Sequence, residues 1–310
     1  MAQPLPPLFI VFDLRAAGAG LVPVAQQLSA RLQAAGRAHE LLWLGEEDEL
    51  GTVAGRAVHA AREAEGAVVV AGPPAVVNAV AQLVWNARLV FGVLPLEAGV
   101  EFAVGDALAS DPDKAAQALQ QARVQEQPVG LLGERVFITD AELGLLPWTA
   151  HTAASAAHPA DGGGLRAWRS NLASLLGSRS LLTLQAHAHG RTRVVRTRSL
   201  RVRCPPPAER APDIAKAPAV GQWLATSLRP PPLPQALWRA ARGLGGQVQD
   251  AAALDSFGFE RLLVRPRRGG HAITVRLDGE ILSMHAPLLI QPAPWPLRLL
   301  LPAASPAGAV

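Results

Sequence analysis

An α/β domain built on a parallel sheet, followed by an antiparallel β-rich domain, is the architecture this 310-residue sequence predicts. Two observations predict it. Over the first 130 residues, short continuous apolar runs alternate with stretches whose apolar residues recur at helical spacing. Apolar strands separated by helices mark a parallel sheet covered on both faces. Beyond Gly130, apolar and polar residues alternate at period two between turn signals, the pattern of antiparallel strands with one solvated face.

The elements follow in order. LFIVFDL (8–14) is a compact apolar run and reads as a strand. In 21–35, Val24, Leu28 and Leu32 fall at i, i+4 and i+8, which predicts an amphipathic helix ended by Gly36. HELLWLG (39–45) is a second strand and 51–66 a second helix. GAVVVAG (66–72) and RLVFGVLPL (88–96) are strands flanking a helix, AVVNAVAQLVW (75–85). Residues 111–125 predict another helix with Asp111 as its N-cap. In the second half, ERVFITDAEL, SLLTLQAHAHG, RTRVVRTRSLRVRC and FERLLVRPRRGGHAITVRLDGEIL alternate as antiparallel strands do. Residues 162–178 suit a short helix, and two proline-rich stretches, PPPAERAPDIAKAPAV and LRPPPLPQALWRAARGLGG, read as irregular connections.

Composition narrows the function classes. A hydrophobic fraction of 49% fits a folded chain with ample core. The pI near 10.4 overstates the charge, because the chain has no Tyr and one Cys, and a net charge of +4 carries the pI upward. Only Lys114 and Lys216 are lysines against 27 arginines, a skew that reflects composition more than a nucleic-acid-binding surface. Cys204 stands alone, so it forms no internal disulfide or cysteine metal site, and its place at a strand end predicts a buried structural thiol. The N-terminus has no basic region with a following cleavage site, and the uncharged run Gly66–Ala87 is broken by Pro73, Pro74, Asn78 and Gln82. Both features predict a cytoplasmic protein.

Four landmarks give the chain a resemblance. LFIVFDLRAAGAG, VVVAGPPAVVNAV, FGVLPLEAGVEFAVGDAL (91–108) and VRLDGEIL (275–282) occur in that order, the last followed by PLLIQPAPWPLRLLLP. In layout the chain resembles the bacterial diacylglycerol kinase and sphingosine kinase-like lipid kinases, whose N-terminal fold is shared with the NAD kinases. The resemblance implies a Rossmann-like N-terminal domain over 1–130, a β-sandwich C-terminal domain over 131–285, and a final strand within 286–310 that packs back on the first domain. It also implies ATP and magnesium as cofactors, a diacylglycerol-type lipid as partner, and γ-phosphate transfer to a lipid hydroxyl.

Motif by motif, the resemblance is uneven. The family's Gly-Gly-Asp-Gly-Thr loop, which holds nucleotide phosphates through backbone amides, corresponds here to Ala71, Gly72, Pro73, Pro74 and Ala75. Two N–H donors, a carboxylate and a hydroxyl are missing, and hydrogen bonds to charged groups are worth about 1.5–3 kcal/mol each. Proline fits the first turn of a helix, where its missing N–H has no partner to lose, so Pro73-Pro74 reads as helix initiation. In the second nucleotide segment Gly99 and Glu101 remain in step, while Glu97 would repel a polyphosphate or else flank the following helix. Asp13 replaces the family's Asn-Pro turn and either bonds a ribose or caps the next turn. The family's metal-organising segment falls near 211–223, where Asp213 is present but a later acidic position is proline.

Asp278-Gly279-Glu280 matches the family motif whose Glu is its general base, which makes Glu280 the candidate catalytic residue. Asp-Gly between alternating strands is equally a hairpin signal. Arg191, Arg193, Arg196, Arg198, Arg201 and Arg203 form a basic stretch, which reads either as a solvated strand face or as an attraction for an anionic membrane. His187 and His189 read as edge histidines. The expectation is a degenerate lipid-kinase-like protein with ATP binding weakened or lost, cytoplasmic or peripheral to the membrane, that binds a lipid or protein. The alternative is an active lipid kinase with Glu280 as base.

Overall fold

The computed structural model describes residues 6–96, 100, 102–105, 107, 108, 110–144, 182–205, 223–228, 254–266 and 272–302. Its N-terminal part alternates as expected: β1 (Leu8–Asp13), α1 (Leu14–Ala17), α2 (Leu21–Ala34), β2 (His39–Leu44), α3 (Leu50–Glu63), β3 (Ala67–Ala71), α4 (Pro74–Ala87), β4 (Val90–Val93) and α5 (Pro112–Gln121). The run Gly66–Ala87 is thus a strand, a turn and a helix. Among the described residues no helix is long and apolar enough to cross a membrane. Asp111 caps α5, accepting from the Lys114 amide at 2.9 Å. That helix stops sooner than the sequence predicts, because Arg123–Gln127 forms strand β5.

Two β-rich sheets follow. Their strands are β6 (Gly130–Leu132), β7 (Arg135–Phe137), β8 (Asp140–Gly144), β9 (Leu182–Ala188), β10 (Arg191–Thr197), β11 (Ser199–Arg203), β12 (Trp223–Leu228), β13 (Leu254–Phe259), β14 (Arg261–Pro266), β15 (Ala272–Leu277), β16 (Glu280–His285) and β17 (Leu288–Pro292). A last strand, β18 (Leu297–Leu301), returns to the first sheet.

The first sheet has the order β2-β1-β3-β4-β18-β5, parallel except where β5 runs against β18. Strand alternation sorts its buried residues into two cores. Phe9, Val11, Val68 and Val70 face the layer that holds α3 and α4, while Ile10, Phe12, Val69 and Ala71 face α2 and α5. Every residue of β3 is buried, as a strand covered on both faces requires.

The other sheets are antiparallel, with orders β10-β9-β14-β17-β6-β7 and β13-β12-β11-β8-β15-β16. Alternate residues from both, among them Leu184, Leu262, Ile290, Val202 and Val275, form one further core. The sequence suggests one basic strand region over 191–203. The structure breaks it at Arg198, so that β10 and β11 belong to different sheets. Cys204 is buried against this core, its thiol donates to the Phe137 carbonyl, and burial pushes its pKa well above the ordinary range. The predicted helix over 162–178, the two proline-rich connections and Asp213 lie outside the described residues.

Candidate functional site

The parallel part and the antiparallel part meet along α4. Val129, Leu131, Val136 and Ile138 share a core with Val76, Val80 and Val84 of that helix. Gln82 accepts from the Val136 amide at 2.8 Å. At the far end of α4, Trp85 stacks on Trp295 with ring centroids 4.9 Å apart, and each indole N–H donates to the other's backbone carbonyl. Arg88 lies over the Trp295 ring at 4.4 Å.

At its N-terminal end α4 meets the Asp278-Gly279 turn. Pro73 is the N-cap residue, with no side-chain cap, and Pro74 begins the helix, as the sequence reading has it. Val76 and Val77 both donate to the Pro73 carbonyl at 3.0 Å. Asp278 and Gly279 have φ of 45° and 93°, left-handed values suited to a tight hairpin. A Cβ on Gly279 would sit 3.4 Å from Pro74 Cγ, so the turn rests on the proline ring.

Asp278 holds this turn in place. Its residue is half-buried overall, but the carboxylate points inward and accepts from the amides of Ile138, Thr139 and Asp140 at 2.6, 2.7 and 3.0 Å. Burial raises its pKa to about 6, the three amides oppose that, and the neighbouring Asp140 charge adds to it. A hairpin signal in the sequence is therefore also the buried clamp between the β15–β16 turn and the β7–β8 turn.

Glu280, the predicted catalytic residue, opens β16. Its carboxylate accepts from Asn78 Nδ2 at 3.1 Å, and the same amide donates to the Leu277 carbonyl at 3.0 Å. Glu280 and Asn78 line a cavity of about 1030 Å³ at the junction. Arg15, Gln82, Asn86, Glu134 and Arg135 are its other polar side chains, and Val76, Leu83 and Leu131 are among its apolar walls.

Asp13 resolves toward capping. It is almost fully buried, caps α1, and accepts from the Arg15 amide and from Nε and Nη2 of the same residue at 3.0, 2.9 and 3.1 Å. Gly72 lies beside it, since a Cβ there would come within 3.2 Å of Asp13 Cβ. The structure therefore brings Asp13 and Gly72 together at the carboxyl ends of β1 and β3, and sends Arg15 rather than Asp13 to the cavity. Gly99 and Glu101 lie outside the described residues.

Asn78, Gln82, Asn86, Arg15, Glu134 and Arg135 line the cavity, and the sequence reading gives none of them a role at a site. A signal for three of them was present: Asn78, Gln82 and Asn86 stand at i, i+4 and i+8, a polar stripe on an otherwise apolar helix. The histidines are placed apart. His187 is paired with Thr192 across β9 and β10, whereas His189 sits in the turn beyond, at φ 49°, beside Glu260. Among the described residues no three His, Cys, Asp or Glu side chains converge as metal ligands would.

The described residues thus form an α/β part on a mostly parallel sheet, a part made of two antiparallel sheets, and a strand returning from the second to the first. No family model matches the chain, and no curated protein matches it. Solved structures do. A "putative diacylglycerol kinase" from Bacillus anthracis str. Sterne superposes with a TM-score of 0.65 at 13% identity, covering 99% of each chain. A second structure so described gives 0.61 at 13% identity over 97% of this chain and 98% of that one. A third, of a diacylglycerol kinase from the same organism, gives 0.57 at 13% identity over 99% of each. At that identity the likeness establishes the fold, which is the one the order of motifs implies.

Proposed function

We propose that this protein is a non-phosphorylating binder built on the diacylglycerol kinase fold, with the junction cavity as its binding site. One observation carries the reading. Where a phosphate loop would present backbone amides, the chain places two prolines, turns the Val76 and Val77 amides onto Pro73, and seats the Asp278-Gly279 turn on Pro74. A polyphosphate loses there the two amides that prolines lack, at positions 73 and 74. The loop does not fit ATP, so no phosphoryl step is assigned to it. Arg15, the cation nearest that loop in sequence that lines the cavity, is already bonded to Asp13 through its guanidinium.

What the cavity does offer is a mixed lining of apolar walls with amide and charged groups. That suits an amphipathic, uncharged or zwitterionic molecule such as a glycerolipid headgroup with part of its chain. In this reading Glu280 and Asn78 join the two parts of the protein, and the Glu280 carboxylate and Asn78 Oδ1, which has no partner of its own, accept from the ligand's hydroxyls.

A second reading has one observation in its favour. The Asp-Gly-Glu turn brings Glu280 to the start of α4, where a base for a lipid hydroxyl would stand. The two readings part on titration with Mg·ATP by calorimetry, followed by labelled-phosphate transfer to diacylglycerol-containing liposomes. The binder shows no heat at millimolar ATP and no transfer. Micromolar binding with turnover abolished in Glu280→Gln would overturn it.

A further inference from the structure

One sheet carries a second surface, away from the cavity. In the order β10-β9-β14-β17, Leu184, Ala186, Leu262, Val264 and Ile290 face the core, so the alternate residues face outward. Register sorts those outward residues into rows. Arg196, Thr183 and Arg265 form one row across three strands. Val194, Gln185, Leu263 and Leu289 form the next, and Thr192, His187 and Arg261 the third.

The middle row is apolar apart from Gln185 and opens at its two ends: Val194 is 58% exposed and Leu289 36%, with Gln185 and Leu263 half-buried between them. Arg196, Arg261 and Arg265 flank it, and all three are exposed. No outward position in these rows is acidic. Glu260, in the adjoining turn, accepts from the His189 amide instead. Three other arginines of the 191–203 stretch go elsewhere. Arg193 binds Asp255 at 2.8 Å and lies over Phe257, Arg201 binds Asp140, and Arg203 is on the other sheet. With strands about 4.8 Å apart, Arg196 and Arg265 stand roughly 10 Å apart at Cα, the span of neighbouring lipid headgroups rather than one ligand.

We propose that this outward face docks on an anionic phospholipid surface, its arginines on the headgroup phosphates and its Val194–Leu263–Leu289 row at the headgroup–acyl boundary. Charge complementarity selects the occupant: a cationic face without acidic groups, rimming a shallow apolar strip, matches an anionic bilayer. A second protein copy would bring the same three positive charges against it. The face holds independently of what the cavity binds, and one backbone hydrogen bond links the two. The Leu289 carbonyl accepts from Gly133, and Gly133 lines the cavity.

The test is vesicle co-sedimentation with the full chain. Phosphatidylcholine vesicles are compared with vesicles containing about one third phosphatidylserine, at low and high salt. The wild type should bind the anionic vesicles only, less at high salt. Arg196→Gln/Arg261→Gln/Arg265→Gln should lower the partition coefficient on the order of a hundredfold, since each arginine near the surface contributes about a fivefold factor. Val194→Asp should weaken binding both by removing an apolar side chain from the middle row and by adding a negative charge to the face. Arg191→Gln/Arg203→Gln, both off this face, should bind as the wild type does. Unfolding curves check that each variant folds. Equal binding by the triple variant, binding to phosphatidylcholine alone, or no binding by the wild type overturns the proposal. So does a dimer dissolved by Val194→Asp, which would make a second copy the occupant.

Discussion

Asp278→Ala sets burial against hydrogen bonding in one side chain. The substitution strands three amides, those of Ile138, Thr139 and Asp140, that now donate at 2.6, 2.7 and 3.0 Å. Each abandoned buried amide costs about 1–3 kcal/mol. Alanine at φ 45° also lacks the short polar side chain that eases the left-handed backbone for aspartate, which adds a smaller cost of the same sign. In the other direction, the variant no longer buries a carboxylate whose pKa is raised from 3.8 to about 6, a relief of about 3 kcal/mol at neutral pH. The net expectation at pH 7 is a loss of a few kcal/mol.

The pH dependence isolates the carboxylate. Its folded pKa lies above its unfolded value, so its protonation stabilises the folded state below the unfolded pKa, and that contribution is lost as pH rises through about 6. At pH 4.5 the wild-type group is protonated when folded and largely ionised when unfolded, which is worth about 2 kcal/mol of stability that the variant lacks. Urea unfolding followed by tryptophan fluorescence should therefore show a penalty about 2 kcal/mol larger at pH 4.5 than at pH 7. A penalty that is equal at both pH values, or larger at pH 7, would refute the reasoning. It would mean that the three amides outweigh burial and hold the carboxylate ionised.

Three further predictions rest on single contacts. Asn78→Ala removes both bonds to the β15–β16 hairpin and should cost about 1–3 kcal/mol in urea unfolding; Asn78→Asp should cost more, because it sets a carboxylate against Glu280. Trp295→Ala removes the stacked pair, both indole bonds and the ring under Arg88, and should lower thermal stability by about 3–5 kcal/mol. Gly130→Ala places a Cβ inside the van der Waals contact of the fully buried Phe137 ring and should destabilise by about 1–3 kcal/mol, read as a shift in urea midpoint at unchanged slope.

Much of the fold was legible from the chain because it is written in local periodicity. Four apolar runs separated by helical spacing point to the parallel sheet, and the Asp111 cap and the start of α4 at Pro74 were readable from residue type. The errors fell where long-range pairing overrode local pattern. Arg123–Gln127 continues a helical spacing, yet β18 draws it into the sheet as its antiparallel edge. Arg191–Arg203 reads as one basic region, yet a break at Arg198 divides it between two sheets.

The candidate site was half legible. Pro73-Pro74 and Asp278-Gly279 announce a helix start and a hairpin from backbone chemistry alone, which acts over two or three residues. No local rule could show that these two features touch, or that Asn78 spans 199 residues of sequence to reach the Leu277 carbonyl. The sequence by itself determined which groups the loop lacks, since a proline has no N–H in any fold. Only the tertiary structure decided what fills the space: the Asp278 clamp, the Asn78–Glu280 bond and the cavity beside them, all made by residues far apart in the chain.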